Sequence, residues 1–599
     1  MPEQRNLILA IALSIFVLIG FQLLWNTLYP PPPPVEQTVA DGRVTPGTPS
    51  TGDLNAPSVA DAPGVTGPRV DGGLAPTAPG GPMTDTLERS LALSTDDSPR
   101  VPIDTPAVQG SLRVQGALLD DLVLTEYRET LDPDSKLIHL FSPINAPDPY
   151  HARFGWVAGS ADGNDAPNLP GPDTPWTVRS GETLAVDQPV VLTWDNGQGL
   201  RFTRTVAVDD HYMFTVTQRV ENTGTTPVTL YPYGLISRTD RPTTDGIYIL
   251  HEGPLGVFDG TLTEVNYGDL EDESSQRETT TGGWIGITDK YWLAALAFDQ
   301  DVEANARFAR EMRDGRERFQ VDYVLAGQTV QPGGFMESTN HLFAGAKKVE
   351  LLDEYEESLG ITNFDLAIDF GWFYFMTKPF FYCLLWLEDF LGNYGLAILA
   401  FTVLLKLVFF PLASKSYESM SKMKKLQPEM KKLQERFKDD KARMNQELMA
   451  LYKREKANPV SGCLPILVQI PVFFALYKVL YVSIEMRHAP FYGWIQDLSA
   501  PDPLNLFTVF GLIPWDPPAL LTIGLWPVIM GCTMYLQQIL NPAPTDPTQK
   551  RIMQFLPLFF TFLLAQFPAG LVIYWTWNNL LSMLQQWWIM KRMGVGVNG

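Results

Sequence analysis

Apolar residues are distributed along the chain in three textures, and each predicts a different kind of structure. Leu7 to Trp25 is nearly unbroken in apolar side chains over nineteen residues. At about 1.5 Å per residue, that run just crosses a hydrocarbon layer about 30 Å thick. A cleaved leader has a shorter apolar core and a small-residue cleavage site, whereas here Trp25 and Tyr29 run into Pro30 through Pro34. A retained signal anchor over 1–29 is therefore expected. From Pro30 to about Ala107 the chain is rich in Pro, Gly, Thr and Ala without periodicity, the composition of a disordered tether. Residues 108–347 alternate in short runs separated by turn signals. Val228-Thr229-Leu230-Tyr231 follows Asn222-Thr223-Gly224, and Tyr291 to Phe298 is a bounded apolar run. Many such runs with little helical periodicity predict an all-β sandwich.

The third texture begins at residue 348. Phe370 to Leu391 is aromatic and apolar yet carries Lys378, Glu388 and Asp389, so 348–392 is expected to form amphipathic helices lying along a membrane interface. Apolar stretches over about 394–412, 463–484, 519–540, 552–567 and 569–590 predict five crossings, six with the anchor. The stretch 552–567 reaches only about 24 Å, and so short a span thins the bilayer locally. The loop 414–459 reads as two amphipathic helices, Tyr417 to Phe437 and Lys441 to Lys456, turned at Asp439-Asp440 as a helical hairpin.

Charge supplies orientation. The net charge of −22 argues against a general or sequence-specific nucleic-acid partner. Its average hides a basic segment, however: Ser414 to Ala457 holds thirteen Lys and Arg against seven Asp and Glu, a local balance of +6. That hairpin belongs in the cytoplasm, as do Lys550-Arg551 and Lys591-Arg592. Met486 to Pro518 has Arg487 against Asp497, Asp502 and Asp516 and belongs outside. One topology satisfies every loop, with both termini cytoplasmic and the β-domain external. The three cysteines, Cys383, Cys463 and Cys532, all fall in apolar segments of the second half, which excludes a disulfide framework. His139, His151, His211, His251 and His341 show no ligand or catalytic spacing, so no metal, cofactor or catalytic centre is expected.

The most informative residue is Lys406, set within an apolar stretch with no carboxylate close by. About eight residues from the cytoplasmic end near Ser414, it sits roughly 12 Å deep. A cation there costs at least about 2.5 kcal/mol and normally faces protein or a water-filled cavity. The alternative is a lysine that snorkels to the headgroups. Thr402 shares its helix face, and Gln469, Gln566, Thr576, Asn578 and Asn579 are embedded nearby, either lining that cavity or merely hydrogen-bonding the bundle together. Lys478, by contrast, reaches the outer interface as an anchor. On the hairpin, Met420, Met423, Met430, Met444 and Met449 offer a soft apolar surface for varied partners, interleaved with Lys424, Lys425, Lys431 and Lys432. Such a charged face is otherwise a solvated helix surface.

These residues resemble a known family. Gln4-Arg5-Asn6 before the anchor, the stretch Lys406 to Lys415, Met423-Lys424-Lys425-Leu426-Gln427-Pro428-Glu429-Met430, Met449-Ala450-Leu451-Tyr452, Asn458-Pro459 and Gly462-Cys463-Leu464-Pro465 are similar to the YidC-type insertases. So are Ala489-Pro490-Phe491, Trp494-Ile495, Asp497-Leu498-Ser499 and Phe567-Pro568-Ala569-Gly570-Leu571. The layout of tether and outer β-domain resembles the Gram-negative branch. The resemblance implies a polytopic α-helical inner-membrane protein of six spans with a five-helix core over 393–599 and a periplasmic β-supersandwich. It implies a hydrophilic groove open to the cytoplasm and to lipid, with Lys406 as its positive residue and Thr402, Tyr574 and Trp575 lining it or touching substrate. Lys406 stands where the best-known members carry Arg, and Trp575 where they carry Tyr.

The activity so implied is insertion and folding of nascent membrane proteins in the bilayer, alone or with the Sec translocon, on chains delivered by ribosomes. The chain stops at Gly599 soon after Lys591-Arg592, so the ribosome contact is expected on the hairpin rather than on a long basic tail. The hairpin captures an emerging chain, Lys406 draws a polar or acidic segment inward, and the apolar segment slides into lipid beside the second, third and fifth spans. A competing reading is a solute transporter or channel using Lys406 as an anion site, though no internal repeat supports it. A third makes the β-domain a carbohydrate-active enzyme.

Overall fold

The computed structural model describes residues 89–158, 167–242, 250–313, 315–437, 440–455, 464–508, 513, 515, 517–518, 522–541 and 547–592. The expected anchor, the tether up to residue 88, Cys463 and the start of the 519–540 stretch lie outside them.

Order begins earlier than the tether's composition suggests. Helix α1 spans Arg89–Thr95, and the first strand, Arg100–Asp104, buries Val101 and Ile103 while Pro102 and Asp104 stay exposed. That two-residue period on an edge strand tolerates the proline. Asp96 fixes the segment, accepting from Arg100 at 3.1 Å and from Arg113 at 2.8 Å, and Arg100 also pairs with the fully buried Asp120. The expectation of disorder to residue 107 is corrected accordingly over 89–107.

The β-domain is a sandwich of two sheets whose ladders are antiparallel. In the ten-stranded sheet Tyr150–Ala158, Val228–Thr239 and Arg316–Leu325 are central neighbours; in the nine-stranded sheet Trp292–Ala297, Phe335–Ala346, Met213–Asn222 and Leu200–Val208 lie side by side. Alternation explains the layers, for Leu200–Val208 buries every second side chain. One inward residue is charged. Arg204 donates to Ala117 O at 3.1 Å and Phe154 O at 2.6 Å across the sandwich, with its guanidinium 4.9 Å from the Trp176 ring. The histidines stay scattered, His341 beside Thr215 and His251 beside the Pro254 carbonyl.

Helix α2, Val349–Leu359, was expected at a membrane interface but packs on the sandwich. Its Tyr355 ring lies 6.0 Å from Phe343 and its hydroxyl donates to Asp209. Burial of Val349, Leu351, Leu352 and Tyr355 makes this face part of the protein core. Helix α3, Tyr374–Leu391, buries Phe381, Leu384 and Leu387 while Phe375, Trp386 and Phe390 are exposed. Lys378 is committed to Asp353 at 2.9 Å and Asp365 at 2.7 Å.

Among the described residues seven α-helices follow: α4, Tyr394–Val408; α5, Phe410–Arg436; α6, Lys441–Arg454; α7, Leu464–Val482; α8, Leu525–Leu540; α9, Pro547–Leu563; and α10, Ala569–Arg592. Among the described residues no single helix is long and apolar enough to cross a membrane, and α4 with the first part of α5 meets that length and hydropathy only as a pair bent by 68°. The straight span expected over 394–412 is thus broken at Phe409. Pro411, at the start of α5, lacks an N–H and clashes with the turn before it. The hairpin's first arm consequently starts at Phe410 rather than Tyr417. Helix α8 starts later than expected, at Leu525, and α9 ends at Leu563, before a 3₁₀ turn over Leu564–Gln566.

The hairpin has its own small core of Leu426, Met430, Leu448 and Leu451, with Met423 and Met444 packed against it. These three methionines therefore fill the seam between the arms, correcting their assignment to a partner surface. Met449 is 52% exposed and Met420 partly so, and Lys425, Lys431 and Lys432 are exposed.

Candidate functional site

The break at Phe409 puts Lys406 in the last turn of α4, two residues from the helix end. Its side chain turns inward: Nζ donates to Ser582 Oγ of α10 at 2.8 Å. Ser582 Oγ in turn donates to Asn578 O at 2.7 Å, and the Tyr417 hydroxyl of α5 also reaches Ser582. No carboxylate pairs with Lys406 among the described residues.

Beside this node lies a cavity of about 60 Å³, room for roughly four waters. Thr402, Lys406, Gln469, Tyr574 and Asn578 all line it, so the structure gathers five of the six expected groove residues. Tyr417 and Gln585 line it as well. Thr402 is buried with its hydroxyl turned back to Ile398 O at 2.7 Å, so it presents little free polarity. The sixth expected residue, Trp575, lies elsewhere. It packs edge-on to Phe473 at 5.0 Å and stacks on Phe560 at 6.2 Å.

The other embedded polar groups hold the bundle. Asn579 donates to Thr533 Oγ1 at 3.2 Å, Gln566 to Thr522 Oγ1 at 2.6 Å, and Thr576 back to Val572 O at 2.9 Å. Lys478 is an ion-pair partner, with Nζ 2.6 Å from Asp369 Oδ2. Ser582 and Gln585 escaped sequence reasoning, although Tyr574, Asn578 and Ser582 repeat every four residues along one helix face.

The opposite end of the bundle, where α4 and α10 begin, packs against the loop 487–508. Ala569 N and Gly570 N donate to Ala500 O at 2.7 Å and Leu498 O at 2.9 Å, so the loop supplies acceptors for the first turn of α10. Ile495 and Leu498 are fully buried beneath it. Gly395 is required there, because a Cβ would come within 1.9 Å of the Phe491 ring. The only carboxylate trio close enough to share a cation among the described residues is Asp353, Glu356 and Asp365, and Lys378 already bonds two of its members.

Comparison with known proteins matches this division of the chain. A family model described as the YidC periplasmic domain matches residues 100–383, starting at the first strand, and one described as 60Kd inner membrane protein matches 386–595. The membrane protein insertase YidC of Methylobacterium sp. (strain 4-46) is 48% identical over 99% of this chain and 96% of its own length. That of Bradyrhizobium diazoefficiens is 48% identical over 100% and 97%. A solved structure of an active YidC insertase with its first transmembrane domain resolved covers 81% of this chain and 94% of its own at 18% identity and a TM-score of 0.33. With relatives 48% identical over nearly the whole of both chains, the chain belongs to the YidC family of membrane protein insertases.

Proposed function

We propose that this chain inserts, folds and helps assemble integral inner-membrane proteins through the cavity beside Lys406. The observation that carries this reading is an ammonium group turned into a polar cavity at one end of a helix bundle whose other end packs against its own loop. A buried cation facing protein and water, rather than lipid, is the arrangement expected of an intramembrane functional residue.

In this reading α4 with the start of α5, and α7 through α10, cross the bilayer with the cavity toward the cytoplasm. With the anchor they make the six spans; the termini are cytoplasmic, and the sandwich is periplasmic. A client's acidic or polar segment enters beside Lys406, and its apolar segment then partitions into lipid beside α4, α7 and α9. Burial of that apolar segment drives the step, so it needs no covalent chemistry. Exposed Lys425, Lys431 and Lys432 on the hairpin receive the ribosome-bound chain, and larger clients pass in concert with the Sec translocon.

Lys406→Ala and Lys406→Glu test the reading in cells depleted of the native protein, with protease accessibility of a small acidic-tailed client as the measure. Insertion falls in both variants, more in the Glu variant, which adds repulsion. Unchanged insertion removes Lys406 from the mechanism.

A further inference from the structure

Lys406 sits only two residues from the end of α4, and its four-carbon stem is long enough to carry the ammonium outward past Val408. Something must hold it in the cavity, and the neighbouring side chains identify what does. A serine hydroxyl has one proton and two lone pairs. Ser582 is engaged on both sides: its proton goes to Asn578 O at 2.7 Å and a lone pair takes Lys406 Nζ at 2.8 Å, with the Tyr417 hydroxyl as a further hydrogen-bond partner. Ser582 is buried on α10, Tyr417 belongs to the first arm of the hairpin, and Lys406 ends α4. Three elements thus meet on one oxygen.

Resting on the reading of Lys406 as the groove cation, we infer that Ser582 is a positioning residue: it keeps that cation inside the cavity and, through Tyr417, ties its position to the cytoplasmic hairpin. The hydrogen bond from Ser582 to Asn578 O fixes the hydroxyl rotor, so the oxygen's acceptor side faces Lys406 on α4. Tyr417, which also lines the cavity, closes the node from the hairpin side. A chain that displaces the hairpin arm draws Tyr417 away from Ser582 and changes how Lys406 is held. Ser582 touches no client in this account; it acts through Lys406.

The test uses the full chain in cells depleted of the native protein and two versions of one small client, with and without an acidic residue in its translocated segment. Ser582→Ala slows the acidic client three- to tenfold and leaves the neutral one within twofold. Ser582→Thr restores the rate, and Ser582→Ala adds nothing in a Lys406→Ala background. Tyr417→Phe gives a smaller loss with the same client preference, and it serves as the variant where Ser582→Ala fails to accumulate in the membrane. Equal losses for both clients, or a Ser582→Ala loss that persists in Lys406→Ala, would make Ser582 a packing residue and overturn the inference alone. If Lys406→Ala itself leaves both clients unaffected, the reading of the groove falls and the inference with it.

Discussion

Glu485 lies just beyond α7, where the helical bundle meets the sandwich, and its replacement by Gln gives a quantitative test of that junction. Its carboxyl accepts from its own backbone N–H and from Val349 N–H at the start of α2, while Oε2 is buried without a partner. Facing it are Lys348 just before α2 and Glu350 in its first turn, Tyr127 from the sandwich, Tyr394 from α4, and nearby Arg487, which donates to Arg128 O at 2.5 Å. Burial outweighs the two backbone donors and Lys348, and pushes the carboxyl up to about 7 from an ordinary 4.5. At 1.36 kcal/mol per unit the whole shift corresponds to roughly 3 kcal/mol. The sign follows from proton counting. Between about pH 4.5 and 7 the docked junction holds a proton that the undocked one has lost, so docking is strongest in acid and weakens as pH rises through that window. Native-state hydrogen exchange of the amides around Val349 reads this directly. After correction for intrinsic rates, protection in the wild type falls by about 1.4 kcal/mol per pH unit between 5 and 7. Glu485→Gln is flat with pH, matches the wild type near pH 5 and is better protected by about 100-fold at pH 8. Identical slopes in the two proteins, or wild-type protection that rises with pH, would refute the argument.

Two further predictions concern the separate cores. Arg204→Met keeps the volume but leaves Ala117 O and Phe154 O buried without donors; it should cost roughly 2–5 kcal/mol, seen as a lower denaturant midpoint of tryptophan fluorescence in detergent, and a loss under 1 kcal/mol contradicts it. Met430→Gln places an amide in the hairpin seam, where Met430 is 4% exposed; at about 2–3 kcal/mol it should open the hairpin to trypsin. Met449→Gln, on the outside, should leave cleavage unchanged, and equal cleavage of both variants would show that the seam does not stabilise the hairpin.

How far the fold is legible in sequence varies with the length of the signal. The sandwich announces itself through many alternating runs, and the hairpin through two long amphipathic arms with a basic face. The strand Arg100–Asp104 is five residues long within a Pro- and Gly-rich neighbourhood, so its alternation is drowned, and ion pairs to Arg113 and Asp120 from later in the chain decide its order. Lys406 was legible because an isolated charge in an apolar run has few explanations. The helix end two residues beyond it was not, because the break depends on how Pro411 meets the turn before it. The methionines looked like a surface because a single arm shows which residues share a face but not what that face meets. Tyr574 and Trp575 were paired by resemblance. Neighbours on a helix nevertheless point about 100° apart, and only Tyr574 lines the cavity.

The break in α4 also bears on why a lysine can be kept in such a place. A helix that ends at Val408 leaves its last carbonyls without intrahelical donors, and the partial negative charge there favours a cation in the final turn by about 0.3–1 kcal/mol. That offsets part of the cost of the buried charge, which a lysine in the middle of a straight span would bear in full. Because the partner of Lys406 is a neutral hydroxyl, an arriving carboxylate need not break an ion pair to reach it. It exchanges a hydrogen bond from the cation to a neutral hydroxyl for one in which both partners are charged, and so gains on entry. Release then depends on the client's own apolar segment. Once that segment leaves for lipid, its burial at about 25 cal/mol per Å² exceeds one hydrogen bond within a few side chains. The cation therefore only needs to hold a client briefly, and a single lysine held by one serine gives that weak, reversible grip.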